Sequence, residues 1–281
     1  MSRRTPLLLT FLAMLAFAGN SLLCRMALQH TRIDPASFTS LRLLSGALML
    51  GLIVRLRSAS HSPGGSWLSA LALFAYAAGF SYAYVSLPAA TGALLLFGAV
   101  QATMIGVGLW SGERLSGRQW AGLICAIAGL AWFLLPGLAA PPLTGSILML
   151  GAGIAWGIYS LRGRGAGDPI AATTGNFLRA VPLAILLSLA LRGGTTWDRA
   201  GVIYALCSGA LASGLGYAVW YTALRGLKAT SAASVQLSVP VIAALGGYVF
   251  LGEALSLRLL IAGSAILGGI ALVLIDKTPT K

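Results

Sequence analysis

Five polar residues stand inside long apolar stretches of this 281-residue chain: Asn20, Gln101, Asn176, Arg179 and Gln236. A side-chain amide carries donors and acceptors together. Asn20, Gln101 and Gln236 therefore suit the ammonium and carboxylate groups of a zwitterion, with Gln101 near the middle of its stretch. Aromatic residues recur beside them at helical spacing. Tyr76 and Phe80 are four apart with Tyr82 nearby, Trp156 and Tyr159 are three apart, and Tyr217, Trp220 and Tyr221 continue the pattern. Three such stripes are predicted to wall a cavity that accepts an aromatic or apolar side chain. The predicted ligand-binding set is Asn20, Tyr76, Phe80, Tyr82, Gln101, Trp156, Tyr159, Tyr217, Tyr221 and Gln236. This is the chemistry of reversible recognition. An acid–base or metal set is not evident: His30 and His61 fall in connections, and the six acids are scattered. Cys24, Cys125 and Cys207 lack metal-ligand spacing and read as small packing residues. Neither an enzyme nor a resident metal or cofactor is expected.

The elements that must position these groups follow from composition. Hydrophobic residues make up 58% of the chain, charged residues 9%, and mean hydropathy is +0.87. A water-facing globule carries about 25% charged residues, so most of this surface must face lipid. A bilayer-spanning helix needs about 20 apolar residues. Ten such runs are present, at about 6–28, 36–54, 67–87, 90–110, 118–135, 144–161, 170–191, 200–224, 230–251 and 257–275. Spanning barrel strands alternate in polarity, whereas these runs are apolar all round, so they are helices. Turn residues separate them, among them Ser62-Pro63-Gly64-Gly65, Pro136-Gly137, Pro141-Pro142 and Gly193-Gly194. The first run has the charged start and Ala16-Phe17-Ala18 of a cleavable signal, but it stays apolar to Leu23 and is taken as the first span.

The net charge of +13 does not indicate nucleic acid, because the basic residues lie singly or in pairs at the ends of apolar runs. With a cytoplasmic N-terminus, the inner segments hold Arg3, Arg4, Arg55, Arg57, Arg114, Arg118, Arg162, Arg164, Arg225, Lys228, Lys277 and Lys281. The outer connections hold Arg32, Arg192, Arg199 and Arg258, with Arg25 near the end of the first span. Both termini are therefore expected in the cytoplasm.

Sliding the chain along itself brings Gly112-Glu113-Arg114-Leu115-Ser116 onto Gly252-Glu253-Ala254-Leu255-Ser256, with no gap needed from residue 87 to 135. Arg42 pairs more weakly with Arg179, and Ala16-Phe17 with Ala155-Trp156. The division is into a first five-helix repeat, 1–137, and a second, 138–281, together forming one transporter domain. Five is odd, so the second copy enters the membrane from the opposite side. The predicted fold is all-α, ten transmembrane helices as two inverted five-helix repeats, an architecture frequent among secondary transporters.

With these features the chain resembles the drug/metabolite transporter superfamily. The resemblance rests on five-plus-five short spans, an Arg in the second span of each half (Arg42, Arg179) and a Gly-Glu pair ending each fourth span. Within that superfamily it most resembles the bacterial aromatic amino-acid exporters. The resemblance implies a bacterial inner-membrane exporter, here taken as a monomer, with a central cavity lined by the first, third, fourth, sixth, eighth and ninth spans. Cross-repeat pairs Glu253–Arg42 and Glu113–Arg179 are expected as opposing latches, and Pro240, mid-span in the ninth helix, as a hinge. No Asp or Glu falls deep in a span, so facilitated efflux is expected rather than proton coupling. A sugar, nucleotide-sugar or phosphate carrier of the same fold remains open; phosphate would call for paired basic groups, and Arg179 alone is placed deep enough. A passive channel is the alternative of another class.

Overall fold

The computed structural model describes residues 4–57, 64–137, 140–163, 167–191, 196–224, 227 and 229–275. Several basic residues of the charge count (Arg3, Arg164, Arg192, Arg225, Lys228, Lys277 and Lys281), with His61 and the turn residues Ser62, Pro63, Gly193 and Gly194, lie outside the described residues. The first seven spans are α1 (Arg4–His30), α2 (Pro35–Leu56), α3 (Trp67–Tyr84), α4 (Ala89–Trp110), α5 (Gly117–Leu134), α6 (Leu143–Arg162) and α7 (Pro169–Ala190). The eighth span runs through α8 (Arg199–Cys207), a π segment (Ser208–Leu215) and α9 (Gly216–Leu224). The ninth is broken into α10 (Ala229–Gln236) and α11 (Ser238–Leu251), and the tenth is α12 (Leu257–Ile275). Among the described residues, nine spans are long and apolar enough to cross a bilayer. The other is α3, 18 residues long and carrying Tyr76, Tyr82 and Tyr84. Its tyrosines belong to a helix that lines the centre of the bundle.

Local chemistry sets where the helices begin and end. α2 and α7 open alike: Asp34 and Asp168 accept hydrogen bonds from the first free N–H groups, and Pro35 and Pro169 follow with their fixed φ. Thr39 and Thr173 then donate back to the carbonyls of Pro35 and Pro169, both at 2.7 Å. α5 starts with a capping box between Ser116 and Gln119. α4 and α11 both end on glycine in the left-handed region, Gly112 at φ 91° and Gly252 at φ 64°, a conformation disfavoured for any other residue. The repeated Gly-Glu pair is thus a shared helix terminator.

Packing between the halves has the symmetry of an inverted repeat. Spans two and seven, four and nine, and five and ten pack against each other, each pair its own mate when the halves are exchanged. The contact of three with six is mirrored by eight with one. Four with six is mirrored by nine with one, and two with eight by seven with three. Large apolar side chains such as Leu48, Leu52, Ile124, Ile127 and Leu186 point outward, as a lipid-facing surface requires. The chain is an all-α integral membrane protein of ten spanning helices in two inverted five-helix repeats.

One detail of the repeat register changes. The matching Asp-Pro starts make Asn176, eight residues past Asp168, the counterpart of Arg42, eight past Asp34. Arg179 lies almost one turn further on. It donates to the Gly64 and Gly175 carbonyls at 2.8 and 2.9 Å, tying the start of α3 to α7.

Candidate substrate cavity

A narrow cavity of about 20 Å³ lies mid-bundle, lined by Phe17, Asn20 and Ser21 of α1, Tyr76 and Phe80 of α3, Leu96 and Phe97 of α4 and Trp156 of α6. Ala212 and Ser213 of the π segment, Tyr217 of α9 and Gln236 at the end of α10 complete the wall. These are the first, third, fourth, sixth, eighth and ninth spans, the six that the resemblance implies. The aromatic stripes meet there as one cluster. Trp156 stands at ring-centroid distances of 4.8 Å from Tyr76, 5.3 Å from Tyr159 and 5.2 Å from Tyr217, stacked on the last two. Phe17 meets Tyr217 edge-on at 5.8 Å, and Tyr76 lies 5.4 Å from Phe80. Such rings present an apolar wall with hydroxyls at its edges.

Polar groups converge on one side of that wall. Asn20 donates to the Tyr76 hydroxyl at 3.4 Å and accepts from Ser208 at 2.6 Å. Arg42, only 2% exposed, donates to the Tyr76 hydroxyl at 2.8 Å and reaches Ser213 at 3.5 Å. Its guanidinium carbon sits 5.0 Å from the Tyr76 ring centre and 4.8 Å from that of Phe80. The π segment makes this possible. A Cβ at Gly209 would strike Ser45 Oγ and the Arg42 carbonyl, so only glycine lets the eighth span pass this close to α2. The wider turn then presents Ser208 and Ser213 inward. π segments often occur at functional sites.

The ninth span contributes through its break. Pro240 lies in the first turn of α11 and has no N–H to offer the Gln236 carbonyl. The ninth span is interrupted at Leu237, three residues before Pro240, and Gln236 stands at the edge of the break on the cavity wall. Discontinuous helices whose freed backbone faces a site recur in secondary transporters.

Other predicted residues are placed elsewhere. Gln101 is buried, but on a second space of about 360 Å³ that it shares with Met104, Gly108, Ser111, Glu113, Leu161 and Ala233. This vestibule lies toward the ends of α4 and α12. Its Nε2 is buried without a hydrogen-bond partner. Phe97 and Gln101 are one turn apart, so the partition between vestibule and cavity is about 5 Å of helix thick. Tyr159 stands behind Trp156, held by Asn176 at 3.4 Å and donating to Thr173 at 3.5 Å. Asn176 also accepts from the Ser66 N–H at 2.9 Å. Tyr221 packs against the core without lining the cavity. Tyr82 is not brought to it either: two residues beyond Phe80, it faces the other side of α3.

The expected cross-repeat latches are not formed. Glu253 engages Arg25, not Arg42, with Nε to Oε1 at 2.9 Å, and its other oxygen accepts the Ala89 N–H at 2.7 Å. Arg25 also donates to the Tyr84 and Val85 carbonyls at 3.0 and 3.2 Å. Arg42 sits too deep to reach a residue that follows the end of α11. This knot ties α1, the α3–α4 connection and the end of α11 together at the face where α1 ends and α12 begins. A depression beside Glu253 shares no lining residue with the cavity. Glu113 is exposed on the vestibule rim, where its N–H closes α4 onto the Gly108 carbonyl at 3.0 Å, far from any pairing with Arg179.

An inverted repeat of spanning helices around a mid-bundle cavity, with a separate vestibule toward one face, is the architecture of a secondary membrane transporter. The chain matches the EamA-like transporter family twice, over residues 4–135 and 143–275, and belongs to it. It is 62% identical over 278 residues to an uncharacterized protein of Pseudomonas aeruginosa, covering 99% of this chain and 97% of that one. It is 31% identical over 187 residues to the threonine/homoserine exporter RhtA of Escherichia coli, covering 63% and 61%. A probable terminal-alkyne amino-acid exporter of Streptantibioticus cattleyicolor is 28% identical over 258 residues, 89% of this chain and 86% of that one. A solved structure with a TM-score of 0.70 and 21% identity, matched over 96% of each chain, shares the fold.

Proposed function

We propose that this transporter exports amino acids, aromatic and neutral ones preferred, from the cytoplasm across a bacterial inner membrane. It works as a monomer by alternating access, the two five-helix repeats 1–137 and 138–281 moving about the shared cavity. The observation that carries this reading is the meeting of an aromatic wall (Phe17, Tyr76, Phe80, Trp156, Tyr217) with the amides Asn20 and Gln236 in one mid-membrane space. The wall suits an apolar or aromatic side chain, and the amides suit the groups on the α-carbon. Two relatives, one a threonine/homoserine exporter and one a probable amino-acid exporter, support the class of cargo.

With both termini cytoplasmic, the vestibule opens inward and the Arg25–Glu253 knot closes the outer face. Among the described residues the acids stand at helix starts and ends, Asp34, Asp168 and Asp198 as caps and Glu113 and Glu253 after glycine. Facilitated efflux down the substrate gradient is the energetic reading that fits this placement. Purified protein in proteoliposomes, loaded with tryptophan, phenylalanine, leucine, threonine or homoserine, is expected to show saturable counterflow without an imposed proton gradient. Flux linear in concentration would make it a channel. Counterflow of sugars or phosphate esters in place of amino acids would overturn the cargo.

A further inference from the structure

Arg42 is a full positive charge 2% exposed in the middle of a membrane protein, and no carboxylate pairs with it among the described residues. Buried charges are otherwise paired or strongly hydrogen-bonded, because an unpaired one is costly in a low dielectric. Its partners are two hydroxyls, Tyr76 and Ser213, and two ring faces. A guanidinium offers five N–H groups, and here the Nη1 nitrogen is buried without any partner. Tyr76, Phe80 and Ser213 all line the cavity, so the guanidinium lies directly behind its wall.

From this we infer that Arg42 is the anion-recognition group of the cavity, and that the ligand's carboxylate is the counterion it lacks. The inference rests on, and deepens, the transporter reading given above. A carboxylate that enters between Asn20 and Ser213 and turns the Tyr76 ring aside meets a forked donor suited to both of its oxygens. Tyr76 returns to cover the charge when the ligand leaves. The cavity then selects by charge: organic acids and amino acids bind, and the corresponding amines, lacking the carboxylate, do not. It also gives Arg42 a role that a merely structural arginine would not have.

The test is binding to the purified full-length protein in detergent, read as thermal stabilisation against concentration. One aromatic pair, 3-indolepropionate and tryptamine, and one aliphatic pair, isovalerate and isobutylamine, serve as probes. In each pair that binds, the acid is expected to bind at least tenfold more tightly than the amine. Arg42→Lys is expected to keep the order, and Arg42→Gln to abolish it. Equal binding of acid and amine to the unmodified protein, or no binding by either acid, overturns the inference, and neither result depends on a variant folding. Preference for the acid that survives intact in a folded Arg42→Gln protein also overturns it. Binding of isovalerate but not 3-indolepropionate leaves the role of Arg42 standing and sinks the preference for aromatic cargo, so the two readings fail separately.

Discussion

Breaking the Arg25–Glu253 knot is expected to open the face where α1 ends and α12 begins. The contact consists of one ion-paired hydrogen bond at 2.9 Å, two from Arg25 to carbonyls and one from the Ala89 N–H to Glu253. Hydrogen bonds to charged groups contribute about 1.5–3 kcal/mol each. The two side chains keep 11% and 14% of their surface exposed, so water offsets part of the loss and the low end of that range applies. Glu253→Gln keeps an acceptor for the Ala89 N–H but removes the charge, a loss of about 2 kcal/mol. That moves the closed-to-open ratio by roughly thirtyfold. The assay uses a background without Cys24, Cys125 and Cys207, carrying Ser21→Cys in the cavity wall. A membrane-impermeant maleimide added from outside the cell labels that cysteine only when the outer face opens. Labelling is expected to be at least tenfold faster with Glu253→Gln or Arg25→Ala, and the double variant no faster than the quicker single one, because both remove one shared interaction. An unchanged rate, or a double variant whose effect is the product of the singles, would refute the assignment of this contact as the closure.

Three further outcomes follow from the geometry. Trp156→Ala removes ring contacts with three tyrosines, each pair contributing about 0.5–1.5 kcal/mol; half-saturation for tryptophan counterflow is expected to rise about tenfold or more, with Trp156→Phe much closer to the parent. Gly209→Val places branched carbon against the backbone of α2 and is expected to leave little folded protein on size-exclusion chromatography of detergent extracts. Asn176→Ala leaves the Ser66 N–H without its acceptor, a destabilisation of about 1–3 kcal/mol, read as a lower thermal midpoint with the ligand preference unchanged.

The spans were legible because lipid demands long apolar runs, and the runs at 36–54, 118–135 and 257–275 agree with α2, α5 and α12 to within about two residues. The aromatic stripes were legible for the same reason: helical spacing puts Tyr76 with Phe80 on one face, and the bundle brings that face to Trp156. What spacing cannot give is depth around the helix and contact across helices. Tyr82 lay near the stripe in sequence but on another face of α3. Arg25 read as an orientation charge, although its reach to Glu253 is made by tertiary packing 228 residues away. Arg42 read as a repeat marker, and its burial became evident only with the π segment laid against α2. One signal was missed: the Asp-Pro start of α2 recurs at α7, and it fixes the repeat register better than the weak Arg42–Arg179 match. The π segment itself has little sequence signature beyond its small residues Ser208, Gly209, Ala210, Ala212, Ser213 and Gly214, interrupted by Leu211.

The break in the ninth span has a consequence for how such a carrier changes its cargo. The oxygen that Pro240 deprives of its helical donor belongs to the main chain of residue 236. Replacing the glutamine alters an amide but leaves that oxygen where it is. Side chains around the cavity can therefore drift while the main-chain oxygen at this break stays beyond the reach of point mutation at its own position.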